Sequence, residues 1–159
     1  MNTQYSALGS SPLPFQQKRQ LAEAFLTSLR KKDWGLLRSL LTEDSYWTLP
    51  GNNVISGEAI GPGAVVNKAQ TIVGFAVSLE LLHILYGRHG VGLLIRNRAT
   101  REGKELDEHL VAVCNLRDGR ICGINTYLSD VPMMDTFFPA PYGETGRGGD
   151  EKTVPANSV

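Results

Sequence analysis

Three side chains in this sequence have the types that proton-transfer chemistry needs: His83, His109 and Arg96. An imidazole of ordinary pKa, near ~6.5, takes up and returns a proton at physiological pH. A guanidinium binds a carboxylate or enolate bidentately and an imidazole adds a hydrogen bond, so His109 with Arg96 suits developing negative charge. Plainer roles compete. His83 reads equally as a core histidine satisfied by a carbonyl or hydroxyl, and Arg96, Arg98, Asp107 and His109 read more readily as a solvated ion-pair patch worth little. Tyr46, Trp47 and Tyr127 suit the walls of a cavity for a flat apolar ligand, although aromatics serve more often as core or interface. Gly57, Gly61 and Gly63 in SGEAIGPGAVV precede a helical pattern. They match no phosphate-loop spacing, lack the lysine and include Pro62, so they are expected to shape a cavity mouth. No Cys/His spacing suggests a metal, no Ser/His/Asp order suggests a nucleophile, and no cofactor is expected.

These candidates sit on a stretch from Leu79 to Asp130 that reads as a four-stranded antiparallel meander. Its apolar runs are Leu79 to Tyr86, Val91 to Ala99, Leu106 to Leu116 and Ile121 to Leu128. The Asp118-Gly119 pair supplies the positive φ angles of a two-residue hairpin, and Glu102-Gly103 does the same. The resulting register sets Val111 opposite Thr126, Val113 opposite Ile124, His109 opposite Arg96 and Val111 opposite Leu94. A turn at Arg88-His89 brings His83 beside Leu94 and Leu81 beside Arg96. One face then carries His83, Leu94, Val111 and Thr126 beside Leu81, Arg96, His109 and Leu128. The other carries Leu82, Ile84, Leu93, Ile95, Leu110, Ala112, Cys114, Ile121, Asn125 and Tyr127. Its average hydrophobicity favours burial. A one-residue slip would make Asn125, Tyr127, Glu108 and Asn97 the cavity set instead.

The chain of 159 residues suffices for one domain with a real core. Sixteen basic residues balance sixteen acidic ones, so no global field draws nucleic acid or a membrane surface. Cys114 and Cys122 fall on opposite faces of neighbouring strands, which disfavours a disulfide and fits a reducing compartment. No apolar run approaches ~20 residues and the N-terminus lacks a signal pattern, so a cytoplasmic protein is expected. Residues 1–14 read as a loose arm, 15–138 as the domain, and 139–159 as a disordered tail. Within the domain, a helix runs from Phe15, Asp33 caps a short second helix, and Asp44 to Leu49 form a strand. Val54-Ile55 read as a short extended piece, Ala64 to Phe75 as a third helix, and Val131 to Phe138 as a helical turn.

This order, the Asp33-Trp34 step, WTLPG at Trp47 to Gly51, the Arg-Asp-Gly-Arg-Ile hairpin and the Tyr127 to Asp130 strand end resemble the nuclear-transport-factor-2-like superfamily, in its SnoaL-like branch. The resemblance covers Phe15 to Phe138. It implies an α+β cone: a strongly bent mixed or antiparallel sheet wrapped around three helices, with a largely apolar cavity and a homodimer through one sheet face. It also implies that the His83 face is the cavity face, since the dehydratase branch carries a histidine there, although its aspartate partner is replaced by Leu29-Arg30. Polyketide cyclases and epoxide hydrolases of the superfamily place an acid where Thr126 stands, and steroid isomerases place one where Leu49 precedes Pro50. Epoxide hydrolases add Arg-x-Asp where this chain has Arg96-Asn97-Arg98. The expectation is cofactor-independent proton transfer (isomerisation, cyclisation or dehydration) on a small apolar cyclic ligand. His83, His109 and Arg96 would be catalytic, and Tyr46, Trp47, Leu94, Val111, Ile124, Thr126 and Tyr127 would bind it. A non-catalytic binding or dimerisation module, or an epoxide hydrolase with atypical residues, is the alternative.

Overall fold

The computed structural model describes residues 12–141. Most of the N-terminal arm and C-terminal tail read from the sequence lies outside them. Helix α1 (Phe15–Lys31) buries Ala22, Phe25, Leu26 and Leu29, the stripe that a 3.6-residue period puts on one side. It ends at Lys32, whose left-handed φ of 54° directs its N–H back to the Ser28 and Leu29 carbonyls. Asp33 caps α2 (Trp34–Ser39) by accepting from the Leu36 N–H at 3.0 Å. Strands β1 (Tyr46–Leu49) and β2 (Gly57–Ile60) form a hairpin, and α3 (Pro62–Gly74) follows with proline in its first turn. The second strand therefore starts after Val54-Ile55, which turn the chain instead. Gly57 and Gly61 serve as strand start and helix cap, with φ of 89° at each.

The meander comprises β3 (Ser78–Tyr86), β4 (Gly90–Arg101), β5 (Lys104–Arg117) and β6 (Arg120–Leu128), and α4 (Val131–Phe137) closes the domain. The sheet order is β2-β1-β6-β5-β4-β3, with β1 parallel to β6 and every other pair antiparallel. The helices cover one face of this open mixed sheet, the α+β cone expected. Both hairpin turns form as the sequence dictates: Glu102 and Gly103 have φ of 50° and 76°, Asp118 and Gly119 of 51° and 75°.

Two bulges alter the faces. Between β5 and β6, Arg117 pairs with Arg120 as expected, but the register shifts past Leu116, so Ala112 faces Thr126 and Val111 faces Tyr127. Between β3 and β4, His83 faces Leu94 as expected, and the shift at Leu82 then places Leu81 opposite Ile95 and not Arg96. Tyr46 lies over Gly123 so closely that a Cβ there would stand 2.4 Å from its ring, which makes glycine a packing requirement just after the bulge. The apolar face is thus the inner one, holding Leu93, Ile95, Leu110, Ala112, Cys114, Ile121 and Ile124. Asn125 and Tyr127 turn outward, and Thr126 turns in.

Candidate functional site

The inner face and helices enclose a void of about 40 Å³. Phe25, Leu26 and Leu29 of α1 form one side, Ile95, Leu110 and Ala112 the sheet side, and Met134 and Phe138 the roof. Its walls are apolar except for Asn97 and the Trp47–Thr126 pair, in which the indole Nε1 donates to Thr126 Oγ1 at 2.9 Å. Leu49, before Pro50, presents only an apolar side chain to the void.

Asn97 continues the inner phase of Leu93 and Ile95 along β4, and Glu108 stands between Leu106 and Leu110 on the inner phase of β5. They are cross-strand partners. Asn97 Oδ1 has no hydrogen-bond partner, and neither has Glu108 Oε2, although Glu108 is fully buried. Glu108 Oε1 accepts from Ser129 Oγ at 3.0 Å and from the Asp130 N–H at 2.8 Å, tying the end of β6 to the sheet. Asp130 in turn caps α4 by accepting from the Met133 N–H at 3.0 Å. The sequence placed Asn97 and Glu108 at the cavity only as a consequence of a register slip. The readable signal was a polar residue interrupting the apolar phase of a strand.

The roof is held by its own contacts. Asp135 accepts from the Asn52 N–H at 2.8 Å and from Asn53 Nδ2 at 2.7 Å, and the Pro139 carbonyl accepts from the Val54 N–H at 2.8 Å. Lys68 of α3, its pKa lowered by burial, donates to the Ile55 and Gly57 carbonyls and fixes the same loop.

The expected catalytic trio lies elsewhere. His83 and His109 are exposed on the outer face, because their strand positions alternate with inward neighbours. Arg96 Nε and Nη2 donate to the two Asp107 oxygens, each at 2.8 Å, an outer-face pair that holds the Asp107 carboxyl below its ordinary range. The trio shares a face with Leu94, Val111 and Tyr127, so none of these reaches the void. Tyr46 is also outward, accepting from Asn115 and Asn125 Nδ2 at 3.3 and 3.4 Å. Ile124 is buried inside but does not border the void, whereas Trp47 and Thr126 do. Arg30 donates to the Leu79 carbonyl, at 3.0 Å from Nε and 2.6 Å from Nη2, so it too points away from the cavity.

Among the described residues, no group of three or more His, Cys, Asp or Glu side chains is placed to hold a metal, and no helix is long and apolar enough to cross a membrane. Neither a family model nor a curated protein matches the sequence. Solved structures do match. Bal32a, from a soil-derived mobile gene cassette, is 25% identical, with a TM-score of 0.73 over 77% of this chain and 97% of its own. A protein from Jannaschia sp. CCS1 described as a SnoaL-like polyketide cyclase is 15% identical, with a TM-score of 0.65 over 84% and 99% of the two chains. An LEH-like epoxide hydrolase from M. tuberculosis is 18% identical, with a TM-score of 0.60 over 77% and 90%. With helices on one face of a bent mixed sheet and these structural likenesses, the chain has the nuclear-transport-factor-2-like fold.

Proposed function

We propose that this protein binds a small, largely apolar molecule in its inner cavity. The observation that carries this reading is the apolar void closed by α4, with Asn97 and Thr126 the polar side chains on its wall. Sites for small ligands combine apolar walls with a few polar groups that fix orientation. At about 40 Å³ the void is smaller than the about 150 Å³ that admits benzene. A cyclic ligand therefore requires Met134 and Phe138 to withdraw, which costs the hydrogen bonds that hold Asp135 and Pro139 to the Asn52 to Val54 loop. The matched polyketide cyclase and epoxide hydrolase support a small-molecule role for this fold.

Proton transfer as an isomerase, cyclase or dehydratase is the second reading, favoured by the free Glu108 Oε2 beside Asn97. It passes the acid/base role from His83 to Glu108. Pairing of two copies belongs to the outer face, where Leu94, Val111, Val113 and Tyr127 lie. Leu110 and Cys114 are buried against the helices and lie outside that face.

Thermal shifts against cyclic ketones, steroids, polyketide fragments and aromatic acids test the binding. A ligand bound only by the folded state stabilises it by about 2.7 kcal/mol at a hundredfold excess over Kd. One class is expected to raise Tm in the wild type and in His83→Ala, but not in Ala112→Val, which narrows the void. No shift with any class, or equal shifts in Ala112→Val, sinks the reading.

A further inference from the structure

We propose that the Thr126 hydroxyl, oriented by the Trp47 indole, is the anchoring donor of the cavity and selects ligands whose apolar body carries one hydrogen-bond acceptor, a carbonyl or ether oxygen. This deepens the binding reading above and rests on it. Thr126 is buried on the inner face of β6 and borders the void. An indole N–H can only donate, so in the 2.9 Å bond between Trp47 Nε1 and Thr126 Oγ1 the hydroxyl accepts. A threonine hydroxyl also has one proton to give. Among the described residues no side chain or carbonyl takes that proton, and the bond from Trp47 is the one hydrogen bond the hydroxyl makes.

The surroundings of Thr126 explain why. Its cross-strand partner is Ala112, and Leu49 and Leu110, which border the void, are apolar as well. Asn97 is the other polar side chain on the wall, but it pairs with Glu108, four residues from Ala112 along β5. At about 3.3 Å per residue it stands roughly 13 Å further along the sheet, well beyond reach of the Thr126 proton. Buried donors are ordinarily paired, and a ligand that displaces water from one without replacing its bond loses affinity. A hydrocarbon in the void leaves the Thr126 proton unpaired. A carbonyl or ether oxygen takes it up, and the bond accepted from the indole makes the hydroxyl a better donor. An ammonium, with no lone pair, gains nothing there.

Calorimetric titration with two isosteric probe pairs reads that selection: cyclohexanone against methylenecyclohexane, and tetrahydropyran against cyclohexane. The members of each pair differ at the acceptor, and comparing a variant with the wild type removes each probe's own hydration. Thr126→Val replaces the hydroxyl by a methyl group of similar volume. It is expected to weaken cyclohexanone, tetrahydropyran or both roughly tenfold, the range of one buried hydrogen bond, and to leave the hydrocarbon of that pair within about twofold. The pair that responds tells a carbonyl site from an ether site. Thr126→Ser keeps the donor and is expected to keep the discrimination, with circular dichroism melts confirming that each variant folds. The inference fails if both members of each pair shift equally in Thr126→Val and also in the double variant Trp47→Phe with Thr126→Val, where no freed indole N–H can stand in. It fails also if Asn97→Leu, and not Thr126→Val, abolishes the discrimination. In both cases the probes still bind and the binding reading stands. If no probe binds the wild type, the binding reading fails first and the inference with it.

Discussion

Asp107 and Glu108 are neighbours on β5, and their carboxylates end in opposite surroundings. Asp107 points outward, exposed, and is held by Arg96. Glu108 points inward, fully buried, with one oxygen tied to the start of α4 and the other free beside Asn97. The same alternation separates Arg96 from Asn97 and Leu94 from Leu93. Side-chain chemistry alone ranks the outer set as the active one, since it holds the histidines and arginines. The inner set has fewer ionisable groups, but it has the enclosed volume and the unsatisfied acceptors. In water an ion pair such as Arg96–Asp107 is a weak and screened contact, whereas an unpaired acceptor in the interior is costly. The scarcer polar groups therefore mark the more consequential face.

The largest contrast is expected within one pair of residues. Leu93→Ala, at a fully buried site, costs about 2–5 kcal/mol in urea unfolding, while Leu94→Ala next to it costs about 1 kcal/mol or less. A comparable cost at Leu94 would show that the outer face is covered in solution, and sedimentation would then reveal a second copy. Next come the carboxylates. Glu108→Ala strands the Ser129 hydroxyl and the Asp130 N–H and leaves a void, so a loss of about 2–4 kcal/mol is expected. Asp107→Ala should leave the unfolding midpoint within experimental scatter. Equal losses would erase the distinction between the faces.

The cysteines give a chemical version of the same test. Burial pushes the Cys114 thiol up to about 12, and Cys122 is only partly buried. Iodoacetamide at mildly alkaline pH is expected to modify Cys122 alone, counted by mass spectrometry, until the protein is unfolded. Modification of native Cys114 would mean that the inner face opens readily. The smallest effect concerns pH. Hydrogen bonds from Arg117, then from Thr42, lower the Asp44 carboxyl from 3.8 to about 2. Its contribution is present above the unfolded value and fades as pH falls from about 3.8 towards about 2. Asp44→Asn should remove that part of the acid dependence from a stability-versus-pH curve, and an unchanged slope would rule out the pair as its source.

Local chemistry made most of the elements legible. Asp33 reads as a cap and acts as one, and the four runs of the meander form as four strands. The Asp-Gly and Glu-Gly turns must adopt positive φ, and from the second of them the whole β4–β5 register follows, including His109 opposite Arg96. What the sequence could not carry was the pair of bulges. A single extra residue in β6 leaves the hydrophobic period almost untouched, yet it exchanges Thr126 for Tyr127 on every face beyond it. The site residues followed the bulges and the helices. Histidines at regular strand positions looked fit for a cavity, and only the side on which α1, α3 and α4 pack decides which face encloses one.

The sequence by itself determined the elements, the turns and the alternation of side chains, because those depend on backbone angles and on neighbours one or two residues away. Only the tertiary structure decided which phase of that alternation became the interior. That choice depends on contacts between residues far apart in the chain, such as Tyr46 over Gly123, Trp47 with Thr126 and Glu108 with Asp130.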